Sequence, residues 1–331
     1  MRHRYLATVI VLCTLSAVAA QGSAGWSDPY PQPPAADQRP ATDASGIVRN
    51  LIQDRQGNIW AATFGGMLRY DGEEFVNVTA SVTPARFFDA LEDRDGNFWF
   101  ASVGHGVFYY DGVNFRQYTT AEGLVDDRVT SVYEDRSGNV WFGTERGLSC
   151  FDGQSFTTLG IGEGVLRNNI SSITEDEHGV YWFATRGGIY RYDGAAITPF
   201  TQEDGTPFGN VRSLIRDTSG NTWIGEQNGL WRYDGQTFTR FSDRFTGHVY
   251  ADRSGNIWTS SGGADRRWVL TRYAAASLTS GTPDTTVLPP VGFMLFGILE
   301  AADGDIWFGA DAVYRYDGEA VVCFTCGPAK I

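Results

Sequence analysis

Residues 129–156 read VTSVYEDRSGNVWFGTERGLSCFDGQSF, and this stretch decides the fold. Val129 to Asp135 reads as the first of four short strands. Arg136-Ser137-Gly138 follows as a turn, and Asn139 to Thr144 is a second, more apolar run. A short loop at Glu145-Arg146-Gly147 leads into Leu148–Phe151. Asp152-Gly153 then turns the chain again, and a fourth strand starts at Ser155-Phe156. The same order is written seven times. Its tryptophan recurs as Trp60, Trp99, Trp141, Trp182, Trp223, Trp258 and Trp307, with successive spacings of 39, 42, 41, 41, 35 and 49 residues. Four short strands per unit at a period of ~40 residues is the pattern of a propeller blade. The expected fold is all-β, a seven-bladed β-propeller of four-stranded antiparallel blades over residues 46–331.

Composition agrees with this. At 331 residues with 42% hydrophobic and 14% aromatic residues, the chain can fill one large closed ring. The aromatics recur once or twice per repeat, which places them between blades. The seven tryptophans are therefore structural, since seven equivalent positions cannot be one active site. Residues 1–20 differ from the rest. Arg2, His3 and Arg4 precede a mostly apolar Leu6 to Leu15, and Val18-Ala19-Ala20 supplies small residues for cleavage. This is the pattern of a secretory signal peptide, which puts the mature protein in the periplasm or outside the cell. A retained anchor is the alternative, but the apolar run is short for a span. Leu12 before Cys13 is too bulky for a lipoprotein signal. Residues 21–45, with Pro29, Pro31, Pro33, Pro34 and Pro40, form an extended lead-in.

With 26 Lys and Arg against 39 Asp and Glu, the formal net charge is −13. Nucleic acid and anionic lipid surfaces are excluded as partners, and no stable membrane insertion is expected after cleavage. Beyond the signal, three cysteines remain. Cys323 and Cys326 would stand about 10 Å apart in an extended strand, too far to bridge, so they form a local disulfide only if the chain turns. Two free thiols are the alternative.

In each repeat the first and third hairpin turns lie on one face of the ring, because connections alternate along a meander. The Asp-x-x-Gly of the first turn (Asp54/Gly57, Asp93/Gly96, Asp135/Gly138, Asp217/Gly220, Asp252/Gly255) suits an Asx-type hairpin. The Tyr-Asp-Gly of the third, as in Tyr70-Asp71-Gly72, recurs in the same way, except that the Asp-Gly turn is missing after Tyr273 in repeat six. Loops on the opposite face vary in length and content. Repeat six departs most: its middle loop is longer, and 274–290 reads as an insertion rich in Ser, Thr, Gly and Pro. A variable face on a constant scaffold is where a ligand is expected.

The unit V-x-S-I/V-x-E-D-x-x-G-N-x-W-F-G/A-T followed by R-Y-D-G resembles two-component regulator propeller repeats, over about residues 47–325. That resemblance implies a periplasmic sensor part of hybrid histidine kinases or related regulators, and ligand sensing, often of carbohydrate. The sequence runs to Ile331 without a kinase or helix-turn-helix, so a separate exported or membrane signalling protein is the expected partner, beside a small-molecule or glycan ligand. The G-N-x-W-F pattern is also similar to repeats of virginiamycin B lyase, which makes a lyase-like or other carbohydrate-active enzyme the alternative. That reading needs an acidic, metal-supporting site and a general-base histidine on one face.

Ligand-binding candidates on the variable face are His105, Arg128, Arg146, Arg186, Gln227, His248, Arg266 and Trp268. His105 lies between glycines that allow close approach, and His248 opens the first strand of repeat six. Arginines gathered on one face of an acidic protein can read a carboxylate or sulfate, or stack on a sugar ring. The plain alternative pairs them with Asp126, Asp127, Glu145 and Asp265 beside them. Trp268 is the aromatic outside the blade column best placed for sugar stacking. Glu226 stands where other repeats carry threonine and could pair with His248 as acid and base. The arginine before Tyr-Asp-Gly is structural, and Cys150 takes its place in repeat three. No catalytic residue, metal site or cofactor is assigned.

Overall fold

In a computed structural model of the chain, the described residues are 46–159, 169–262, 267–280, 282–289 and 295–326. The signal peptide, the lead-in and Arg266 lie outside them. The described residues form seven four-stranded antiparallel sheets, each built from four consecutive strands. In blade 3 these are Val129–Glu134, Val140–Thr144, Leu148–Phe151 and Phe156–Leu159. The first strand of every blade packs against the first strand of the next, so seven inner strands surround one axis.

The second strand of a blade is covered on both faces by its neighbours. Ile59–Thr63, Phe98–Ser102, Val140–Thr144 and Thr222–Glu226 are buried at every position. This is why these segments read as continuous apolar runs rather than alternating ones. Each tryptophan of the column packs towards the following blade. Trp60 lies 4.4 Å from Phe98, and Trp141 lies 4.7 Å from Tyr181, between ring centroids.

The first-turn aspartate does more than close a hairpin. In blade 1, Asp54 Oδ1 accepts the amides of Gln56 and Asn58, while Oδ2 accepts the Trp60 indole N–H at 2.8 Å. The indole bond recurs to Asp93, Asp135, Asp176, Asp217 and Asp252. One buried carboxylate thus fixes both the turn and the tryptophan. In blade 7 the corresponding residue is Ala301, and Trp307 packs without that bond. A second latch joins neighbouring blades on this face. Arg94 pairs with Glu134 and donates to the Asp135 carbonyl at 2.6 Å, and Arg253 repeats the arrangement with Glu300.

The ring closes by packing, with no strand exchanged among the described residues. Val48, Leu51 and Leu68 of blade 1 share a core cluster with Trp307 and Val313 of blade 7. Val48 N–H donates to the Ala310 carbonyl at 2.8 Å, and Ala302 N–H to Gln53 Oε1 at 2.7 Å. The segment at 274–290 is more than an insertion. Thr285–Val287 within it pairs with Trp268–Tyr273 as the outer strand of blade 6.

Cys323 and Cys326 form a disulfide with Cα atoms 5.7 Å apart, so the chain does turn there. It sits at the end of the outer strand Val321–Cys323 and beside Phe324, which packs on Trp307 and Tyr70 across the closure. A loop this short contributes modestly through chain entropy, about 1–2 kcal/mol. Reduction is expected to lower the free energy of unfolding by that amount and to speed amide exchange first in 321–326. Unchanged exchange there after reduction would show that the bond holds nothing at the closure.

Candidate functional site

The hairpin turns of the constant face and the loops of the variable face fall on opposite sides, as the meander requires. The predicted rim residues sit on the variable face but do not converge. His105 is exposed on a hairpin of blade 2, its Nδ1 3.3 Å from the Val103 carbonyl. Arg128 is ion-paired with Glu145 at 2.8 Å, and Arg146 stands 3.9 Å from Asp126, so these two arginines are engaged with their acidic neighbours. Arg186 and Gln227 are exposed, and the Gln227 N–H donates to the Gly209 carbonyl at 3.1 Å. Trp268 is half-buried, with its edge on Phe245 at 5.4 Å and Gly247 beneath its ring.

His248 lies deeper than the rim. It is the third residue of the inner strand Thr246–Ala251, in the seam beside the axis. The Glu226–His248 pair does not form. Glu226 is buried and accepts the Trp231 indole N–H at 3.1 Å, and its charge does not act on His248. Threonine and serine at the equivalent positions satisfy themselves differently, with Thr63, Thr144 and Thr185 donating to the glycine carbonyl three residues on.

A cluster the sequence reading did not assemble stands at the mouth of the axis. The Arg49 guanidinium lies 4.3 Å from the centroid of Phe88 and 3.9 Å from that of Phe296, a planar cation between rings supplied by blades 2 and 7. Phe64 packs on Phe88 at 5.5 Å, and Arg86 lies 5.5 Å over Phe64. The available signal was a column. The residue before the belt position is threonine, serine or glycine in blades 3, 4 and 6 (Thr130, Ser171, Gly247), but Arg49, Phe88, Arg212 and Phe296 in the others.

Below this layer a polar belt joins one inner strand to the next. Asn50 Nδ2 donates to Asp89 Oδ1, and Asp89 Oδ2 accepts the Val132 amide at 2.9 Å. Ser131 and Ser172 donate to the carbonyls of Ile170 and Leu214, and Ser213 accepts the Val249 amide at 3.0 Å. Asp89 and His248 are the titratable members of this column. Both keep some surface open towards the axis yet are ringed by protein, and the crowding governs their ionisation. Burial pushes the Asp89 carboxyl up to about 6, against its hydrogen bonds and Arg49. Burial and then Arg49 push the His248 imidazole down to about 4.

On the constant face, a groove of about 520 Å³ lies between blades 2 and 3, bordered by Asp93, Arg94, Trp99, Tyr109 and Glu134. It opens where Tyr109 replaces the arginine that in blade 4 covers the column tryptophan, Arg191 over Trp182 at 4.8 Å. Its charged walls are the turn and latch residues already bonded to each other. Cys150 takes the next place in that column, and burial pushes its thiol up to about 12, which leaves it unreactive.

Among the described residues no group of three or more His, Cys, Asp or Glu is gathered to hold a metal ion. No helix among them is long and apolar enough to cross a membrane.

Fold and site together define a seven-bladed propeller with a constant structural face and an arginine–aromatic mouth on the other. Residues 43–65, 123–146 and 164–187, in repeats one, three and four, match the family model described as two component regulator propeller. The fold is shared with the extracellular domain assigned to a hybrid two component system, BT3049, of B. thetaiotaomicron. The TM-score is 0.71 at 19% identity over 86% of this chain, which spans 40% of that domain. Virginiamycin B lyase from Staphylococcus aureus superposes with a TM-score of 0.63 at 17% identity, covering 81% of this chain and 92% of the lyase. YCF48 from Cyanidioschyzon merolae gives 0.59 at 15% identity, covering 82% and 94%. At these identities the likeness is one of fold. No curated protein sequence matches the chain.

Proposed function

We propose that this propeller is an exported ligand-binding module of the sensor type, which takes a small molecule or glycan at the mouth of its axis and passes the occupied state to a separate signalling protein. The observation that supports this reading is Arg49 held between Phe88 and Phe296, with Phe64 and Arg86 beside them. A guanidinium oriented by two rings loses little conformational freedom on contact, and aromatic faces suit the apolar face of a sugar. Three blades contribute to the cluster, so an occupant there would bear on their relative positions. The family's repeats and the extracellular relative are consistent with such a role.

The test is a glycan array probed with the mature chain, followed by calorimetric titration of each hit. Binding is expected at a discrete set of glycans, reduced at least about tenfold by Arg49→Ala, the scale of one charge-assisted contact. No hit in the array, together with metal-dependent turnover of a substrate, would replace this reading with an enzymatic one.

A further inference from the structure

The polar belt around the axis changes character in blade 6. From blade 1 to blade 5 each inner-strand side chain is spent on the next blade. His248 takes this place in blade 6, and its ring has no hydrogen-bond partner among the described residues. Its register partner on the second strand is Ser260, whose buried hydroxyl also has none. Directly paired residues of antiparallel strands share a face. The other blades place Ala62, Ala101, Gly143, Ala184, Gly225 and Gly309 where Ser260 stands, so this polar pair belongs to blade 6 alone. Blade 7 adds no polar side chain, because Gly297 fills its place in the belt. A Cβ at Gly297 would come within 2.7 Å of Asn50 Cα, and the belt resumes at Asn50.

We propose that the axial seam of blades 6 and 7 binds a carboxylate of the ligand, which His248 receives as an imidazolium after taking a proton from solvent. The proposal rests on the ligand-binding reading above and names the charged end of that ligand. An imidazolium has two N–H donors. One meets the carboxylate, and the other meets the Ser260 hydroxyl behind it, which is thereby satisfied. Ser260 is a positioning residue here. Without the anion the ring is neutral, since burial and Arg49 both oppose its charge. A bound carboxylate offsets both effects, so anion and proton bind together. Charged residues on the elements packed around His248 are Arg212 and Arg216 of blade 5, Glu226 beside them, Glu300 of blade 7 and Arg49 of blade 1. Of these, only Arg49 acts on the imidazole. Asp89, also under the influence of Arg49, stands further round the belt.

The experiment is calorimetric titration of the mature protein with glucuronate, glucose and acetate at about pH 5 and about pH 7.5, in buffers of different ionisation heat. Glucuronate is expected to bind at least about tenfold tighter than glucose at the lower pH, a gap that narrows to about threefold at the higher one. The buffer dependence should report uptake of a proton. His248→Gln should abolish the pH dependence and the preference, and Ser260→Ala should weaken glucuronate a few-fold, both with unchanged circular dichroism. Acetate binding as well as glucuronate would assign the site to a bare carboxylate, and glucuronate alone to an acidic sugar. Equal affinity for glucose and glucuronate at both pH values, or glucuronate binding untouched by His248→Gln, would overturn the anion site. Neutral glycans still bound in the array would then leave the broader reading standing, and binding of none would remove both.

Discussion

Asp135→Ala is expected to destabilise the propeller by about 3–5 kcal/mol, more than any single change on the variable face. The carboxylate is buried and accepts five hydrogen bonds: from the amides of Ser137 and Asn139, from Asn139 Nδ2, from the Trp141 indole at 2.9 Å, and from the Tyr181 hydroxyl at 2.8 Å. The last comes from blade 4, so this aspartate ties two blades as well as two strands. Alanine would leave the Trp141 N–H and the Tyr181 hydroxyl desolvated without partners. Each such orphan costs about 1–3 kcal/mol, where losing a bond between two removable groups costs little. Asp135→Asn should cost less, because its carbonyl oxygen still accepts one or two of the five. The effect also has a pH signature. Burial alone would raise the Asp135 carboxyl, but the Trp141, Asn139 and Tyr181 bonds more than reverse this and hold it below the ordinary value. A depressed carboxyl contributes stability above its unfolded pKa and loses it as pH falls through the folded value. The wild type should therefore lose more stability than Asp135→Ala as pH drops below about 4. Denaturant titration at neutral and acid pH measures both. A neutral-pH loss under about 1 kcal/mol would mean that the tryptophan and tyrosine find new partners.

What the sequence made legible follows the physics of repetition. Seven copies of one unit average away local ambiguity, so the strand pattern, the tryptophan layer and the alternation of faces were all readable from residues 129–156 and their equivalents. The Asp–Trp bond was in the same pattern, six residues apart in six repeats, but a turn signature hid it. Aspartate explains an Asx hairpin with one oxygen, and nothing local asks what the second oxygen does. Features made by the ring itself were less visible. Arg49, Phe88 and Phe296 meet only because blades 7, 1 and 2 are neighbours, and residues 49 and 296 are joined by closure rather than by sequence. Reading the seven inner strands as aligned columns would have found them, and Asp89 and His248 too, as departures from serine. The rim arginines Arg128 and Arg146 pair with Glu145 and Asp126, which stand 17 and 20 residues away in sequence and are brought beside them by the fold.

Asp89 and His248 should give opposite pH dependences that nearly cancel in the wild type. The folded-state carboxyl of Asp89 is raised to about 6 from an ordinary 3.8, chiefly by burial. A raised acid binds its proton more tightly in the folded state, so its contribution is fully present below about 4 and is lost as pH rises to about 6. Two pKa units correspond to about 3 kcal/mol. The folded-state imidazole of His248 is lowered to about 4 from 6.5, by burial and then by Arg49. Here the unfolded chain holds the proton more tightly, so stability is lost as pH falls from about 6.5 to about 4, again by about 3 kcal/mol. Relative to the wild type, His248→Gln should become less stable as pH rises from about 4 to about 6, because only the Asp89 penalty remains. Asp89→Asn should become more stable over the same interval, and the double variant should run parallel to the wild type. Other carboxylates titrate in this range, but they contribute equally to all four proteins and drop out of the differences. Denaturant unfolding at three or four pH values resolves slopes of this size. If the two single variants changed in the same direction, the crowded axis could not be opposing charge on both groups, and the neutral His248 on which proton-linked binding depends would have to be given up.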